Sequence, residues 1–393
     1  MIRFSALSLL LLALNSHGQG FEECALGLGE RARDAGVDPQ LVEEVLVTLS
    51  PIERVIQLDR KQPEFLQTFG DYLNKRVTET RVERGLELLA RHADFFDELL
   101  RRYGVPPRYL VAFWGLETNY GSYLGNVRTL NALATLACDA RRSEFFAGEF
   151  VDALTLLERE GLSPDELQGS WAGALGHTQF MPSSYLRYAV DGDDDGRRDL
   201  LGSERDALAS GANFLRSLGW TPQMRWGRRV ELSEGFPYEL AELGQARPLA
   251  EWSNLGVMRE GGTALPVADV EASLILPSGH RGPAFIVYSN FATIMKWNQS
   301  QSYALSVGLL ADRLAGAPAF KLPPAATTPL RREAIITAQT ALNALGYDAG
   351  APDGLVGRKT RAALREFQLA RGLPADGYPG DDTLFALQKS AES

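Results

Sequence analysis

The sequence predicts a mainly α (α+β) fold, in which a helical domain carries a small β-rich insertion and is followed by a small three-helix C-terminal domain. Apolar residues recur at helical spacing through the N-terminal half. Between about 225 and 287, short apolar runs are broken by glycine and proline, which favours strands. After residue 330 the chain carries an internal repeat. A chain of 393 residues has room for about two domains.

Residues 1–20 have the features of a secretory signal peptide. Arg3 supplies a short positive region, residues 6–14 form an apolar stretch too short to span a bilayer, and Gly18-Gln-Gly20 fits a cleavage site. We therefore predict a soluble, periplasmic protein without stable membrane insertion. A retained N-terminal anchor is the alternative. Cys24 follows Phe-Glu-Glu rather than small residues, so lipid attachment is not expected.

The chain has two cysteines, Cys24 and Cys138. Exported thiols are usually oxidised, so the pair predicts a disulfide that would tie the N-terminal segment to the body of the fold. On the chain-entropy model such a bridge would contribute ~4 kcal/mol. Two free, buried cysteines are the alternative.

Helix signals are clearest in the first half of the chain. Asp38 is a capping residue followed by Pro39 in the first turn. A long helix is predicted from about 82 to 103, ending at Gly104. Further helices are expected at about 143–160, 204–218 and 302–315. The first domain is placed at 21–316 with its β-rich insertion at about 225–287.

An acid, Glu117, stands at the end of an apolar run. In a helix it would share the core-facing stripe with Phe113 and Trp114, four and three residues earlier. Burial disfavours the ionised form of a carboxyl group, which is the property that a general acid needs near neutral pH. Asn119 and Gly121 indicate that the helix ends just beyond, where an acid is usually solvated, and this is the alternative.

Residues 169–185 combine small side chains with Ser170, Gln179 and Tyr185. Small side chains let a bulky ligand approach the backbone, and an amide with a hydroxyl can orient sugar hydroxyl and acetamido groups. The alternative is a close contact between helices.

Residues 191–206 have the pattern of a calcium loop. Oxygen ligands stand at positions one, three, five and nine, a backbone carbonyl at seven and glycine at six, as in an EF-hand. Gly202 takes the place of the acid at position twelve, and a later acid would close a longer loop. The predicted ligands are Asp191, Asp193, Asp195, the carbonyl of Arg197, Asp199 and Asp206. We expect a structural Ca²⁺ and no cofactor for catalysis. A solvated acidic turn is the alternative.

A proline-rich linker is predicted at 317–330 and a separate domain at 331–393. Residues 353–364 and 376–387 share the pattern D-G-x-x-G-x-x-T-x-x-A-L. Each copy predicts a tight turn that leads into a helix. Gln339, Leu342, Leu345, Phe367 and Leu373 are expected to fill the core. A tethered domain of this kind usually binds something, although it could be only a folded cap.

Three ordered motifs resemble the lytic murein transglycosylase B family, glycoside hydrolase family 103. They are Gly115-Leu-Glu-Thr-Asn-Tyr-Gly121, the run 169–185, and Tyr288-Ser-Asn-Phe-Ala-Thr-Ile-Met-Lys-Trp-Asn298. Residues 331–390 resemble the peptidoglycan-binding domain that is often joined to cell-wall enzymes. The longer calcium loop is also similar to that of the family.

The resemblance implies a lysozyme-like helical fold and cleavage of the β-1,4 bond between N-acetylmuramic acid and N-acetylglucosamine without water. Glu117 matches the family's catalytic glutamate, which acts as both acid and base to form a 1,6-anhydromuramyl end. Ser170 would hydrogen-bond near the acid and Gln179 would contact substrate. Tyr288 and Asn290 would flank the transition-state sugar.

The sequence excludes several other classes. A net charge of −10 argues against nucleic acid as a partner. The resemblance implies peptidoglycan glycan strands as the partner. No pair of histidines has zinc-ligand spacing, and His177 falls in the run predicted to line the cleft. No second acid lies between Glu117 and Asp139, whereas most glycosidases use two carboxylates. A hydrolytic muramidase and a noncatalytic wall-binding scaffold are the alternatives.

Overall fold

The computed structural model describes residues 6–61, 67–323 and 329–391. Arg3 of the predicted signal peptide and residues 324–328 of the predicted linker lie outside these ranges. Helices dominate, as the sequence predicts. The helices are α1 (Ala6–Asp34), α2 (Pro39–Thr48), α3 (Glu53–Lys61), α4 (Phe69–Arg76), α5 (Glu79–Arg91), α6 (Ala93–Tyr103), α7 (Pro107–Thr118), α8 (Thr129–Ala137), α9 (Ser143–Glu160), α10 (Pro182–Tyr188), α11 (Glu204–Ser217), α12 (Leu249–Asn254), α13 (Ser289–Trp297), α14 (Gln301–Leu314), α15 (Arg332–Ala344), α16 (Arg358–Ala370) and α17 (Asp381–Ala391).

Local signals fix several of the helix ends. The carboxylate of Asp38 accepts a hydrogen bond from Gln40 N at the start of α2, and Gly104 ends α6 in a left-handed conformation with φ 71°. The prediction of a single helix over 82–103 is wrong, because the structure has two helices there. His92, with φ −108° and ψ 26°, separates α5 from α6 while the apolar stripe continues across the break. Among the described helices, none is both long and apolar enough to cross a bilayer.

The chain divides into two units, Met1–Lys61 with Phe113–Phe214, and Gln62–Ala112 with Leu215–Ser393. In the first unit α8 is the central helix, since every one of its residues is buried. Cys138, just after α8, forms a disulfide with Cys24 of α1, so the predicted bridge is present. The nearly buried Asp59 accepts hydrogen bonds from Arg141 and Arg142, which ties α3 to the loop before α9.

The second unit contains the sheet predicted between 225 and 287. Its strands are β3 (Gly227–Leu232), β4 (Arg247–Pro248), β5 (Val257–Arg259), β6 (Thr263–Ala264), β7 (Glu271–Ile275) and β8 (Ala284–Val287), after β1 (Val127–Arg128) and β2 (Gln168–Gly169) in the first unit. The strand order is β4-β7-β8-β3-β5-β6, and the pairs are antiparallel. Trp252 of α12 is fully buried in the hydrophobic core beside the sheet and donates its indole N–H to Ala272 O at 2.8 Å.

The helices α15, α16 and α17 build the C-terminal domain around Leu342 and Phe367. Both repeats have the same buried hydrogen-bond network. Gln339 Nε2 donates to the aspartate and threonine of the first repeat, and Gln368 Nε2 does so in the second. Leu345 was expected in the core, but it is 37% exposed because it follows the last turn of α15.

The C-terminal domain also contacts the β-rich insertion inside the second unit. Asp376 of the second repeat accepts a hydrogen bond from His280 N and lies 2.7 Å from the same residue's ring Nδ1. Arg365 pairs with Glu242 at 3.2 Å. The domain is therefore held by side-chain contacts as well as by the covalent linker.

Candidate active site

Glu117 lies in the last turn of α7 and is half-buried. The helix around it is buried on nearly all sides, because Phe113 and Trp114 are 1% and 0% exposed. The predicted stripe is therefore present, with the acid at its partly open end. Such a position lets a carboxyl group meet a ligand while its own helix stays fixed in the core.

The chain leaves α7 through a strained turn. Asn119, Tyr120 and Gly121 have φ of 50°, 61° and 75°, so three consecutive residues adopt the left-handed conformation. This conformation is unfavourable for residues with a side chain, at about 1–3 kcal/mol each, and such strain clusters at functional sites. Buried Tyr120 packs edge-on against Trp114, with ring centroids 5.8 Å apart, and this packing helps to hold the turn.

The turn is also clamped by His177, which comes from a loop sixty-three residues after Trp114. Trp114 Nε1 donates to His177 Nδ1 at 3.1 Å, and Thr118 Oγ1 donates to His177 O at 2.8 Å. Because an indole N–H can only donate, Nδ1 must be the acceptor and the neutral ring carries its proton on Nε2. Burial lowers the pKa of His177 and so favours this neutral form.

The same loop holds Gln179, which is half-buried and has φ 50°. Its amide donates to Leu124 O at 3.1 Å and to Gly176 O at 3.0 Å. Both amide hydrogens therefore tie the loop that carries Gln179 to itself and to the loop after α7. The side-chain carbonyl of Gln179 is the part of the group left for a sugar contact.

Ser170 is half-buried and turns the chain back on itself. Its hydroxyl accepts from Ala174 N at 3.0 Å, and its own N–H donates to Ala174 O at 2.8 Å. The glycines nearby are explained by packing of the chain itself. A Cβ on Gly169 would lie 2.2 Å from Ala174 O, and one on Gly173 would lie 2.4 Å from Leu133.

Tyr185 is 1% exposed, and its hydroxyl is fully used by the backbone. It donates to Arg198 O and accepts from Leu200 N at 2.9 Å. Burial raises the pKa of this phenol far above its usual value. In the structure Tyr185 thus holds the acidic loop to α10, and its predicted sugar contact stays a prediction.

Tyr288 and Asn290 lie at the start of α13 in the second unit. Asn290 is fully buried, accepts from Thr221 N at 2.7 Å and donates to Met224 O at 2.7 Å. The hydroxyl of Tyr288, which is 6% exposed, accepts from Arg228 Nε at 3.0 Å. Asn290 therefore shapes the loop that precedes the sheet, and the predicted contacts of both residues with sugar stay predictions.

Carboxylates of the acidic loop converge on one point. Ligand atoms of Asp191, Asp193 and Asp206 lie within 4.8 Å of one another. Asp206 is 1% exposed and is fixed by Gly192 N and Asp199 N, each donating at 2.7 Å. The Oδ1 atom of Asp191 is buried and has no hydrogen-bond partner in the described chain, as expected of an atom suited to a cation.

Two of the predicted ligands lie outside this cluster in the described chain. Asp195 Oδ1 accepts from Arg197 N, and Asp199 Oδ1 accepts from Leu201 N and Gly202 N. Both residues cap their own turns. The carboxylates of Asp191, Asp193 and Asp206 are therefore the part of the predicted set that the fold brings together.

Sequence reasoning missed Glu149, a buried acid on α9. It accepts from Ser183 N at 3.0 Å and from Ser183 Oγ at 2.7 Å, so it caps the start of α10. Burial raises its pKa, against the lowering effect of these two hydrogen bonds. No local signal identifies it, because its partner lies thirty-four residues later.

Family models match nearly the whole chain. One described as "Transglycosylase SLT domain" matches residues 20–312, and one described as "Putative peptidoglycan binding domain" matches residues 331–387. Membrane-bound lytic murein transglycosylase B of Escherichia coli K12 is 31% identical over 302 residues, which is 71% of this chain and 79% of that protein.

Solved structures show the same similarity. SltB3 of Pseudomonas aeruginosa in complex with NAG-anhNAM-pentapeptide is 42% identical, with a TM-score of 0.86 over 94% of this chain and 99% of that one. The Escherichia coli lytic transglycosylase Slt35 in complex with calcium is 30% identical, with a TM-score of 0.66 over 74% of this chain and 92% of that one.

Proposed function

Because this chain belongs to the lytic murein transglycosylase family and is a peptidoglycan-cleaving enzyme, we propose that Glu117 is its single acid and base. The bond cleaved is the β-1,4 bond between N-acetylmuramic acid and N-acetylglucosamine. The observation that carries the proposal is the placement of Glu117, a half-buried carboxyl at the end of a buried helix and beside a strained turn.

The two roles follow one another in a single turnover. The carboxylic acid of Glu117 first gives its proton to the glycosidic oxygen, and the bond to the muramyl C1 breaks. The carboxylate then takes the proton from the muramyl C6 hydroxyl as that oxygen attacks C1. A 1,6-anhydro ring closes, the N-acetylglucosamine hydroxyl leaves, and Glu117 regains its proton. No water is consumed.

Substrate contacts are proposed for Ser170, Gln179, Tyr185, Tyr288 and Asn290. Gln179 has the strongest support, since its amide hydrogens are satisfied by backbone and its carbonyl can accept from a sugar hydroxyl. For Tyr185 and Asn290, burial favours an indirect role in shaping the loops that meet the sugar.

We propose that Asp191, Asp193 and Asp206 hold a structural Ca²⁺, with Asp195, Asp199 and the carbonyl of Arg197 as further predicted ligands. Three converging carboxylates and the unsatisfied Oδ1 of Asp191 support a hard cation. Gly196, with φ 89°, makes the sharp turn expected at the sixth position of such a loop. The ion would neutralise the repulsion between the acids and would take no part in the chemistry.

We also propose that the protein is exported to the periplasm, that residues 1–20 are removed, and that the C-terminal domain binds the wall. The disulfide is consistent with an oxidising compartment. The match of residues 331–387 to a peptidoglycan-binding domain supports wall binding by the C-terminal domain. A bound domain raises the local concentration of glycan strands at the active site.

Digestion of purified wall sacculi tests the mechanism. Wild-type enzyme should release muropeptides with 1,6-anhydro ends, as read by mass spectrometry, and Glu117→Gln should release none above background. The amide keeps the shape of the side chain but cannot supply or take the proton. Asp165→Asn, at an exposed acid on another loop of the same unit, is the matched control and should keep full activity.

Two results would contradict the proposal. Glycan release by folded Glu117→Gln at the wild-type rate would exclude Glu117 as the acid and base. Products with reducing ends instead of 1,6-anhydro ends would identify a hydrolytic muramidase.

A further inference from the structure

We propose that His177 is a positioning residue, whose neutral ring and backbone hold the turn after Glu117 in the geometry needed for proton transfer. The inference rests on the function proposed for Glu117. It assigns His177 no contact with substrate and no proton to transfer.

The contacts of His177 reach both sides of Glu117. Trp114, three residues before the acid, donates to the ring, and Thr118, one residue after it, donates to the backbone carbonyl. Thr118 also accepts from Gly121 N at 3.0 Å, which extends the clamp across the left-handed turn. Trp114 and Thr118 are four residues apart and lie on one face of α7, so this face of the last helical turn cannot shift without breaking a hydrogen bond to His177.

The space around the ring is closely fitted. His177 is 8% exposed, and a Cβ on Gly121 would lie 2.4 Å from its Cε1 atom. Gly121 must therefore be glycine for two reasons, its φ of 75° and the imidazole beside it. Trp114 packs edge-on against the same ring, with centroids 5.9 Å apart.

His177 is itself anchored on the other side. Its N–H donates to Leu200 O at 3.0 Å, and Leu200 N donates to the buried hydroxyl of Tyr185. The next residue back, Asp199, donates its N–H to Asp206. The clamp on the turn is thus fixed to the backbone of the acidic loop rather than to a free side chain.

The role of His177 Nδ1 as a hydrogen-bond acceptor can be tested by two substitutions, one that keeps an acceptor at this place and one that removes it. In His177→Asn the Oδ1 atom takes the place of Nδ1 and can accept the indole N–H, whereas His177→Leu has no acceptor. A misplacement of about 1 Å can lower a rate by roughly 100-fold. We expect kcat on a soluble N-acetylglucosamine–N-acetylmuramic acid oligomer to fall on the order of 10–100-fold in His177→Leu.

The experiment measures kcat and KM for wild type, His177→Leu, His177→Asn, Trp114→Phe and the double variant Trp114→Phe/His177→Leu, each corrected for folded fraction by circular dichroism. The loss should appear in kcat with KM changed less than about three-fold, because ground-state binding is retained. His177→Asn should recover most of the loss. The double variant should be no worse than the poorer single variant, since both remove one hydrogen bond.

Other outcomes overturn the inference. Unchanged kcat in folded His177→Leu, or equal losses in His177→Leu and His177→Asn, would show that the Nδ1 acceptor does not position the acid. His92→Leu, at a histidine of the second unit, controls for loss of an imidazole and should leave kcat unchanged. Failure of the proposed function is read separately, as activity in Glu117→Gln.

Discussion

Gly125 should be one of the least replaceable residues of the first unit. It has φ 97°, and a Cβ there would lie 2.1 Å from Gly169 O and 2.6 Å from Ser170 N. Gly169 is the last residue of β2 and lies opposite Val127 of β1, and Ser170 follows it directly. The neighbours therefore cannot move aside without opening the loop that carries Ser170.

The cost of Gly125→Ala has two parts. A left-handed conformation costs a residue with a Cβ about 1–2 kcal/mol. Overpacking against a fixed neighbour adds about 1–3 kcal/mol. Gly36→Ala separates the two, because Gly36 lies in the same unit with φ 92° and nothing within 4 Å of the added carbon. We expect a loss of about 1–2 kcal/mol at Gly36 and about 2–5 kcal/mol at Gly125.

Guanidinium unfolding followed by circular dichroism measures both losses, and sacculus digestion measures the effect on activity. Gly125→Ala should lower activity per folded molecule, and Gly36→Ala should not. Equal stability losses for the two variants would refute the reasoning, since the close approach of Gly169 would then contribute nothing.

Three further predictions concern stability. Burial raises the pKa of Glu149 in the folded state, so the folded protein binds this proton more tightly than the unfolded chain does. Its contribution to stability is present below the unfolded pKa and is lost as pH rises from the unfolded to the folded pKa. Glu149→Gln should therefore flatten this part of the pH–stability curve measured by thermal unfolding. Reduction of Cys24–Cys138, which are 114 residues apart, should lower the free energy of unfolding by about 4–5 kcal/mol, and Cys24→Ser/Cys138→Ser should make dithiothreitol without effect. Calcium should raise the melting temperature of wild type but not of Asp191→Asn, and an equal rise in both would contradict the proposed site.

Local sequence signals predicted the elements that are specified locally. The start of α2 was predicted because Asp38 caps its own helix, and the end of α6 because Gly104 supplies a left-handed residue. The break at His92 was missed because the apolar stripe continues through it. The helical fold with a small sheet, the family and the disulfide are confirmed.

The candidate site was predictable only in part. Motif resemblance predicted Glu117 and the run 169–185, and these roles stay predictions. The contact between Trp114 and His177 joins residues sixty-three positions apart and leaves no periodic signal. The hydroxyl of Tyr185 likewise finds Arg198 and Leu200 only once the chain is folded. Ligand spacing predicted the acidic loop, yet which carboxylates converge depends on the φ and ψ of its turns.

The strain of the turn after Glu117 explains why buried hydrogen bonds and aromatic contacts surround it. Left-handed Asn119 and Tyr120 cost about 1–3 kcal/mol each, so the turn would relax if its surroundings allowed it. Packing of Tyr120 on Trp114 and the hydrogen bonds to His177 oppose this relaxation and help to hold the turn in one geometry. Loss of one such contact should therefore release the turn and lower activity before the rest of the first unit unfolds.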